Sequence, residues 1–135
     1  MTDQCSGGCL CGNVRYTVDG SFDAFFLCHC TYCQKDTGSA HAANLFSQHA
    51  TLSWQKGQEH VKTFTLPGTR HTKSFCTECG SALPRVEMNG ALVVVPAGSL
   101  DKGAVKQPDA HIMMASKADW DDELDHVAKL DGMPS

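Results

Sequence analysis

Seven of the eight cysteines in this 135-residue chain fall into three short clusters: Cys9-Leu10-Cys11, Cys28-His29-Cys30-Thr31-Tyr32-Cys33 and Cys76-Thr77-Glu78-Cys79-Gly80. A Cys-x-x-Cys step lets two sulfurs reach one Zn²⁺ at about 2.3 Å, and the glycine after Cys79 suits the tight turn beneath such an ion. Two sulfurs fill half a tetrahedron, so another close pair must complete it. The competing reading of a lone Cys-x-x-Cys is a redox dithiol, which usually stands at a helix start in a βαβ setting. The strand-rich pattern of this chain lacks that setting.

Closed structural zinc sites use four protein ligands, whereas catalytic sites keep three and leave a position for water or substrate. Seven cysteines divide as four plus three. Cys9, Cys11, Cys76 and Cys79 are expected to close a structural site that pins the N-terminal segment to a hairpin far along the chain. Cys28, Cys30 and Cys33 are expected to form an open site. The alternative is that Cys5 or a histidine closes the second site and makes it structural too. Cys5, next to Gly7-Gly8, reads as a free thiol on an unanchored terminus. His29 should point away from the metal if Cys28 and Cys30 share a strand face.

Three thiolates and Zn²⁺ sum to about −1, which makes a modest Lewis acid. Such a site suits the binding of a thiol and its presentation as a nucleophile, since coordination deprotonates thiols that otherwise titrate near 8.5. A small thiol in the fourth position would attack an aldehyde, or the reverse cleavage would occur there. Lys35 and Thr31 stand beside the cluster as candidates to receive a polar or anionic substrate group, with a solvated helix residue as the alternative for Lys35. His111 reads as a core hydrogen-bond donor, and Arg15 and Arg85 as paired surface charges.

The elements that must position these residues are short. Val14, Tyr16 and Val18 alternate with polar residues up to Asp19-Gly20, and Phe22 to Leu27 runs directly into Cys28. Ala40 to Phe46, Thr51 to Trp54, Val61 to Thr65 and Thr69 to Phe75 are further strands, the last entering Cys76. Ala82 to Val86 and Ala91 to Val95 flank Met88-Asn89-Gly90, a hairpin signal. His111 to Ala115 is a last strand before an acidic end, Asp119 to Asp125, with helical character. One or two helical turns follow Cys33 and stop at Gly38. Short strands separated by glycine turns predict a mainly β domain of antiparallel strands.

The length suits one domain, residues 1–135 with a core of about 5–125, and 41% apolar against 19% charged residues is an ordinary globular balance. Fifteen acidic side chains outnumber 11 basic ones, giving a net charge of −4. No basic run offers phosphates a partner, so nucleic acid is excluded as a target. The N-terminal residues show neither a basic n-region nor an apolar h-region, and no run approaches the roughly 20 apolar residues of a membrane span. A cytoplasmic location without membrane contact is expected, where thiols stay reduced. No feature sets an oligomeric state.

Gly8-Cys9-Leu10-Cys11-Gly12-x-Val14-Arg15-Tyr16 resembles the opening motif of the glutathione-dependent formaldehyde-activating enzyme family. Cys28-His29-Cys30-Thr31-x-Cys33-Gln34-Lys35-x-Thr37-Gly38 resembles its second motif, and Phe75-Cys76-x-x-Cys79-Gly80-Ser81 its third. Gly98-Ser99-Leu100-Asp101, Pro108, His111 and Trp120 match weaker features. The resemblance implies an Mss4-like β-tent with two zinc ions per chain: a structural one on Cys9, Cys11, Cys76 and Cys79, and one at the active site on Cys28, Cys30 and Cys33. It also implies the carbon–sulfur lyase activity that joins glutathione and formaldehyde into S-hydroxymethylglutathione. A non-enzymatic zinc-binding β-tent module is the alternative. Reductase chemistry of the methionine-sulfoxide type would need a late nucleophilic cysteine, and none follows Cys79.

Overall fold

A computed structural model describes residues 3–102 and 106–134. Among the described residues the chain forms eleven short strands and one short α-helix, and the strands build three small sheets. The first sheet joins β1 (Gln4–Gly8), β2 (Arg15–Asp19) and β5 (Thr51–Lys56) in that order, all antiparallel. The second comprises β3 (Ala24–Cys28), β4 (Ala42–Ser47), β9 (Arg85–Glu87), β10 (Leu92–Pro96) and β11 (Ala110–Ile112), in the order β11-β3-β4-β10-β9. The third is the meander of β6 (Val61–Thr65), β7 (Thr72–Cys76) and β8 (Ala82–Leu83). Helix α1 (Thr31–Thr37) lies between β3 and β4.

The alternation read in the sequence is the alternation observed. Val14, Tyr16 and Val18 are buried while Arg15, Thr17 and Asp19 face outward. Val93, Val94 and Val95 are buried in succession because β10 lies between β4 and β9 and is covered on both faces. Tyr16, Phe25, Leu45, Leu83, Val93 and Val95 bring all three sheets into one apolar cluster. Cys9 and Cys76 belong to that same cluster, so the first metal-binding candidate is continuous with the core. Asn89 takes a left-handed φ of 55° in the β9–β10 hairpin, the conformation that makes Asn-Gly a turn signal.

Several local expectations are corrected. The N-terminal segment is anchored: Cys5 lies on β1 opposite Val18, and its partly buried side chain packs against the core. Gly7 is present for close approach, since a Cβ there would overlap the Ser99 carbonyl oxygen and the Tyr16 hydroxyl. That hydroxyl bonds the Ser99 side chain at 2.6 Å. Strand β11 is only Ala110–Ile112 and pairs parallel with β3, because Met113 turns the chain with a φ of 59°. The helix begins before Cys33, at Thr31, with Cys30 as its N-cap and Gly38 as its left-handed C-cap. The acidic end holds a single 3₁₀ turn, Leu124–His126. Among the described residues no helix is long and apolar enough to cross a membrane.

Replacing Gly7 by Ala is expected to lower stability by about 1–3 kcal/mol through overpacking. Gly98→Ala, which faces open space, should stay within about 0.5 kcal/mol of the parent. Equal urea midpoints for the two variants would refute the close-approach role of Gly7.

Candidate metal centres

Both arms of the first cluster are knuckles closed by a glycine with positive φ. After Cys9 and Cys11 the chain turns at Gly12 (φ 84°), whose N–H donates to the Cys9 carbonyl at 3.2 Å. After Cys76 and Cys79 it turns at Gly80 (φ 78°), whose N–H donates to the Cys76 carbonyl at 2.7 Å. The four sulfurs lie within 4.8 Å of one another. Cys9 and Cys11 Sγ are 3.5 Å apart, and Cys11 and Cys76 Sγ 4.0 Å. A tetrahedral ion with metal–sulfur bonds of about 2.3 Å sets its ligands about 3.8 Å apart, so these spacings suit one.

The surrounding donors are arranged for anionic sulfur. The Val14 N–H points at Cys9 Sγ (3.3 Å) and the Glu78 N–H at Cys76 Sγ (3.4 Å). Ser81 bonds both knuckles, since its hydroxyl accepts the Leu10 N–H at 2.9 Å and lies 3.2 Å from Cys79 Sγ. The Ser81 hydroxyl and then its N–H bring the Cys79 thiol down to about 5. At Cys11 the Asn13 N–H favours the thiolate, but burial and the three neighbouring sulfurs outweigh it and push the thiol up to about 12. Four crowded sulfurs cannot all ionise unless a cation joins them.

The second cluster straddles the end of β3 and the start of α1. Cys28 ends β3 between Ala42 of β4 and Ile112 of β11. Cys30 caps the helix, its sulfur accepting the Cys33 N–H at 3.3 Å. The three sulfurs also lie within 4.8 Å of one another. Burial opposes ionisation of Cys30, yet the Cys33 N–H and the neighbouring sulfurs prevail and hold its thiol below the usual value. Burial, followed by the Cys30 and Cys28 sulfurs, pushes Cys33 up. Cys5 belongs to neither cluster.

The loop holding these sulfurs is tied from two sides. Gln34 Nε2 donates to the carbonyls of His29 and Ser116, both at 2.8 Å, and the His29 N–H donates to the Ile112 carbonyl at 2.9 Å. On the opposite flank Asp36 of α1 accepts from His71 Nε2 (2.8 Å) and Lys73 Nζ (2.9 Å). His71 immediately precedes β7 and Lys73 lies on it, and that strand ends in Cys76. The two clusters thus share a short structural path.

Two clefts border α1. One of about 390 Å³ is lined by Thr31, Gln34, Lys35 and Trp120 among others, and one of about 380 Å³ by Tyr32, Lys35, Phe64 and Lys73 among others. Lys35 is exposed and lines both. Arg15 pairs with Asp101 at the surface as read, whereas Arg85 pairs with Glu87 while mostly buried. Asp101 thereby gives the Gly98-to-Asp101 segment an electrostatic anchor beside the Ser99–Tyr16 hydrogen bond.

The histidines depart from expectation. His29 is absent from the sulfur cluster and buried at 1% exposure, although Cys28 and Cys30 share no strand face, since β3 ends at Cys28 and Cys30 caps α1. Burial, with His41 and His111 nearby, lowers its pKa and favours the neutral ring. His111 is exposed rather than in the core, although its Nδ1 lies 2.9 Å from His29 Nε2. His41 and Asp121 escaped the sequence reading. His41 sits one residue before a strand, and Asp121 lies within the acidic run Asp119 to Asp125, yet its Oδ2 is 3.5 Å from His29 Nδ1.

A mainly β domain carrying two cysteine clusters able to hold metal is the class this architecture defines. Residues 4–116 match the glutathione-dependent formaldehyde-activating enzyme family, and the chain belongs to that family, with its Mss4-like fold. A crystal structure of a Rhodobacter sphaeroides protein has a similar fold, at 20% identity and a TM-score of 0.54 over 78% of this chain and 98% of that one.

Cys76→Ser is expected to leave the domain largely unfolded, because a structural ion contributes folding free energy directly. Cys30→Ser should keep the fold while binding one metal ion fewer per chain. Circular dichroism with metal analysis checks both; a folded Cys76→Ser variant, or loss of all metal from Cys30→Ser, would refute the division into two centres.

Proposed function

We propose that the chain is a zinc enzyme of the carbon–sulfur lyase class, in which a small thiol such as glutathione adds to an aldehyde such as formaldehyde, or is released from the adduct. The reading takes residues 1–135 as one domain holding two zinc ions. Cys9, Cys11, Cys76 and Cys79 hold the structural one, and Cys28, Cys30 and Cys33 the one at the active site. The observation that carries it is the donor count at the second cluster: three convergent sulfurs, with no fourth cysteine joining them. Family membership supports the choice of thiol and aldehyde. Free thiols at all eight cysteines fit a reducing compartment, the cytoplasm.

Zn²⁺ at the second cluster would supply the positive charge that deprotonates an incoming thiol. The chain's own residues set the geometry. Gln34 and Ser116 fix the His29 carbonyl and hence the loop between Cys28 and Cys30. The Cys33 N–H holds the Cys30 sulfur. Glutathione carries two carboxylates and exceeds the sulfur site in size. The clefts flanking α1 give it room, within the 300–1,000 Å³ range of small-molecule sites. Lys35, shared by both clefts, receives a carboxylate, and the Thr31 hydroxyl offers a neutral partner. The reaction forms one S–C bond and breaks the carbonyl π bond, and the oxygen takes up the proton that the thiol has lost. Holding both reactants together lowers the barrier by proximity.

The decisive measurement is zinc content with and without glutathione, coupled to an assay for S-hydroxymethylglutathione. Two zinc ions, one of them exchangeable and perturbed by glutathione, together with adduct formation, are expected. Two tightly held ions indifferent to thiol, with no adduct, would instead indicate a non-enzymatic zinc-binding module. Lys35→Ala should raise KM for glutathione about tenfold, the loss of one charged hydrogen bond, and leave kcat largely unchanged. An unchanged KM would remove Lys35 from the site.

A further inference from the structure

Next to the three-cysteine loop, a second set of potential ligands converges that uses no sulfur. Cys28 of β3 pairs with Ala42 of β4 and with Ile112 of β11. His29 directly follows Cys28, while His41 directly precedes β4 and His111 lies on β11. The register therefore gathers three imidazoles at one end of the sheet. Ring centroids of His29 lie 5.0 Å from those of both His41 and His111. Asp121, from the irregular C-terminal segment beyond the family match, completes the group. One ring nitrogen of His29, one of His41 and one oxygen of Asp121 lie within 4.8 Å of one another.

The hydrogen-bond inventory leaves this group incomplete. Nδ1 of His29 and Nδ1 of His41 are both buried without a hydrogen-bond partner among the described residues. A neutral imidazole has one N–H and one lone pair. His29 Nε2 is 2.9 Å from His111 Nδ1, so one of these two nitrogens carries the proton between them. With that proton on His29 Nε2, the His29 Nδ1 lone pair faces the Asp121 oxygen at 3.5 Å. Two acceptors in that relation repel unless a cation lies between them. Ligands about 2.1 Å from a tetrahedral ion stand about 3.4 Å apart, and the His29–Asp121 separation of 3.5 Å is close to that. Donation from His29 Nε2 to His111 is also the outer hydrogen bond that orients a metal-bound imidazole.

We propose that His29, His41 and Asp121 form a third metal site, distinct in its ligands from both cysteine clusters, for a first-row divalent cation. Two imidazole nitrogens and one carboxylate oxygen match Zn²⁺, Co²⁺, Ni²⁺ or Fe²⁺. Ca²⁺ and Mg²⁺ demand more oxygen, and Cu⁺ favours sulfur. His111 is a positioning residue that holds the His29 tautomer. The ion ties the segment carrying Asp121 and Trp120 to the loop between Cys28 and Cys30. Trp120, the neighbour of Asp121, lines the cleft that Lys35 also lines.

The test is a titration of the full chain with Zn²⁺, read by long-range ¹H–¹⁵N spectra of the histidine rings, with cysteine Cβ shifts reporting the sulfur clusters. After the cysteine shifts saturate, further Zn²⁺ should move Nδ1 of His29 and His41 to the metal-bound position and leave Nε2 of His29 protonated. Asp121→Asn should weaken that last step by at least about tenfold and leave the cysteine steps unchanged. His41→Gln should do the same. Histidine resonances that stay put in excess Zn²⁺, or that move equally in folded Asp121→Asn, overturn the site. So does a spectrum in which His29 Nδ1 carries the proton throughout, since a proton shared with Asp121 then replaces the cation.

Discussion

Four cysteine sulfurs from two knuckles, separated by 65 residues between Cys11 and Cys76, must occupy one small volume. Their mutual repulsion as anions opposes that convergence, and one cation removes it. Much else in the fold arranges the approach. Left-handed glycines close each knuckle, backbone N–H groups aim at the sulfurs, and Ser81 touches both arms. Because Cys9 and Cys76 are also buried in the apolar cluster, drawing the knuckles together brings the β1–β2 segment onto the β6–β8 meander. A cation held there would couple its binding to core formation, which suits a domain of short strands and a small core.

The second cluster depends on the first through α1. Asp36 grips His71 and Lys73 at the start of the strand that ends in Cys76, and the same helix carries Cys33 and begins at Cys30. The three-cysteine cluster is thus mounted on an element braced against the strand that enters the four-cysteine one, and that element borders two clefts. A closed four-sulfur centre would lend rigidity to a three-sulfur site that keeps a position free.

The parallel pairing of β11 with β3 has a consequence for chemistry. It supplies His111 to His29 and lets the following turn place Ser116 against the His29 carbonyl. The chain returns late to the loop laid down by residues 28–33, and Asp121 follows. A buried histidine without a partner on Nδ1, beside a second one and a carboxylate, is an arrangement that hydrophobic packing alone would not retain.

What the sequence determined by itself was the local chemistry. Cysteine spacing announced which sulfurs could meet, because a Cys-x-x-Cys turn with glycine behind it admits few other geometries. Period-two alternation at Val14, Tyr16 and Val18, and Asn-Gly in a hairpin, followed from pleat and turn sterics within a few residues. Tertiary structure decided everything that depends on one strand meeting another. Gly7 looked flexible until Ser99 and Tyr16 closed on it from far along the chain. His41 and Asp121 carried no signal, since a histidine before a strand and an aspartate in an acidic run are ordinary locally. Only the pairing of β3 with β4 and β11 brings them to His29. Side-chain reach is a few ångströms, so chemistry between distant residues becomes legible only when the sheet register sets their separation.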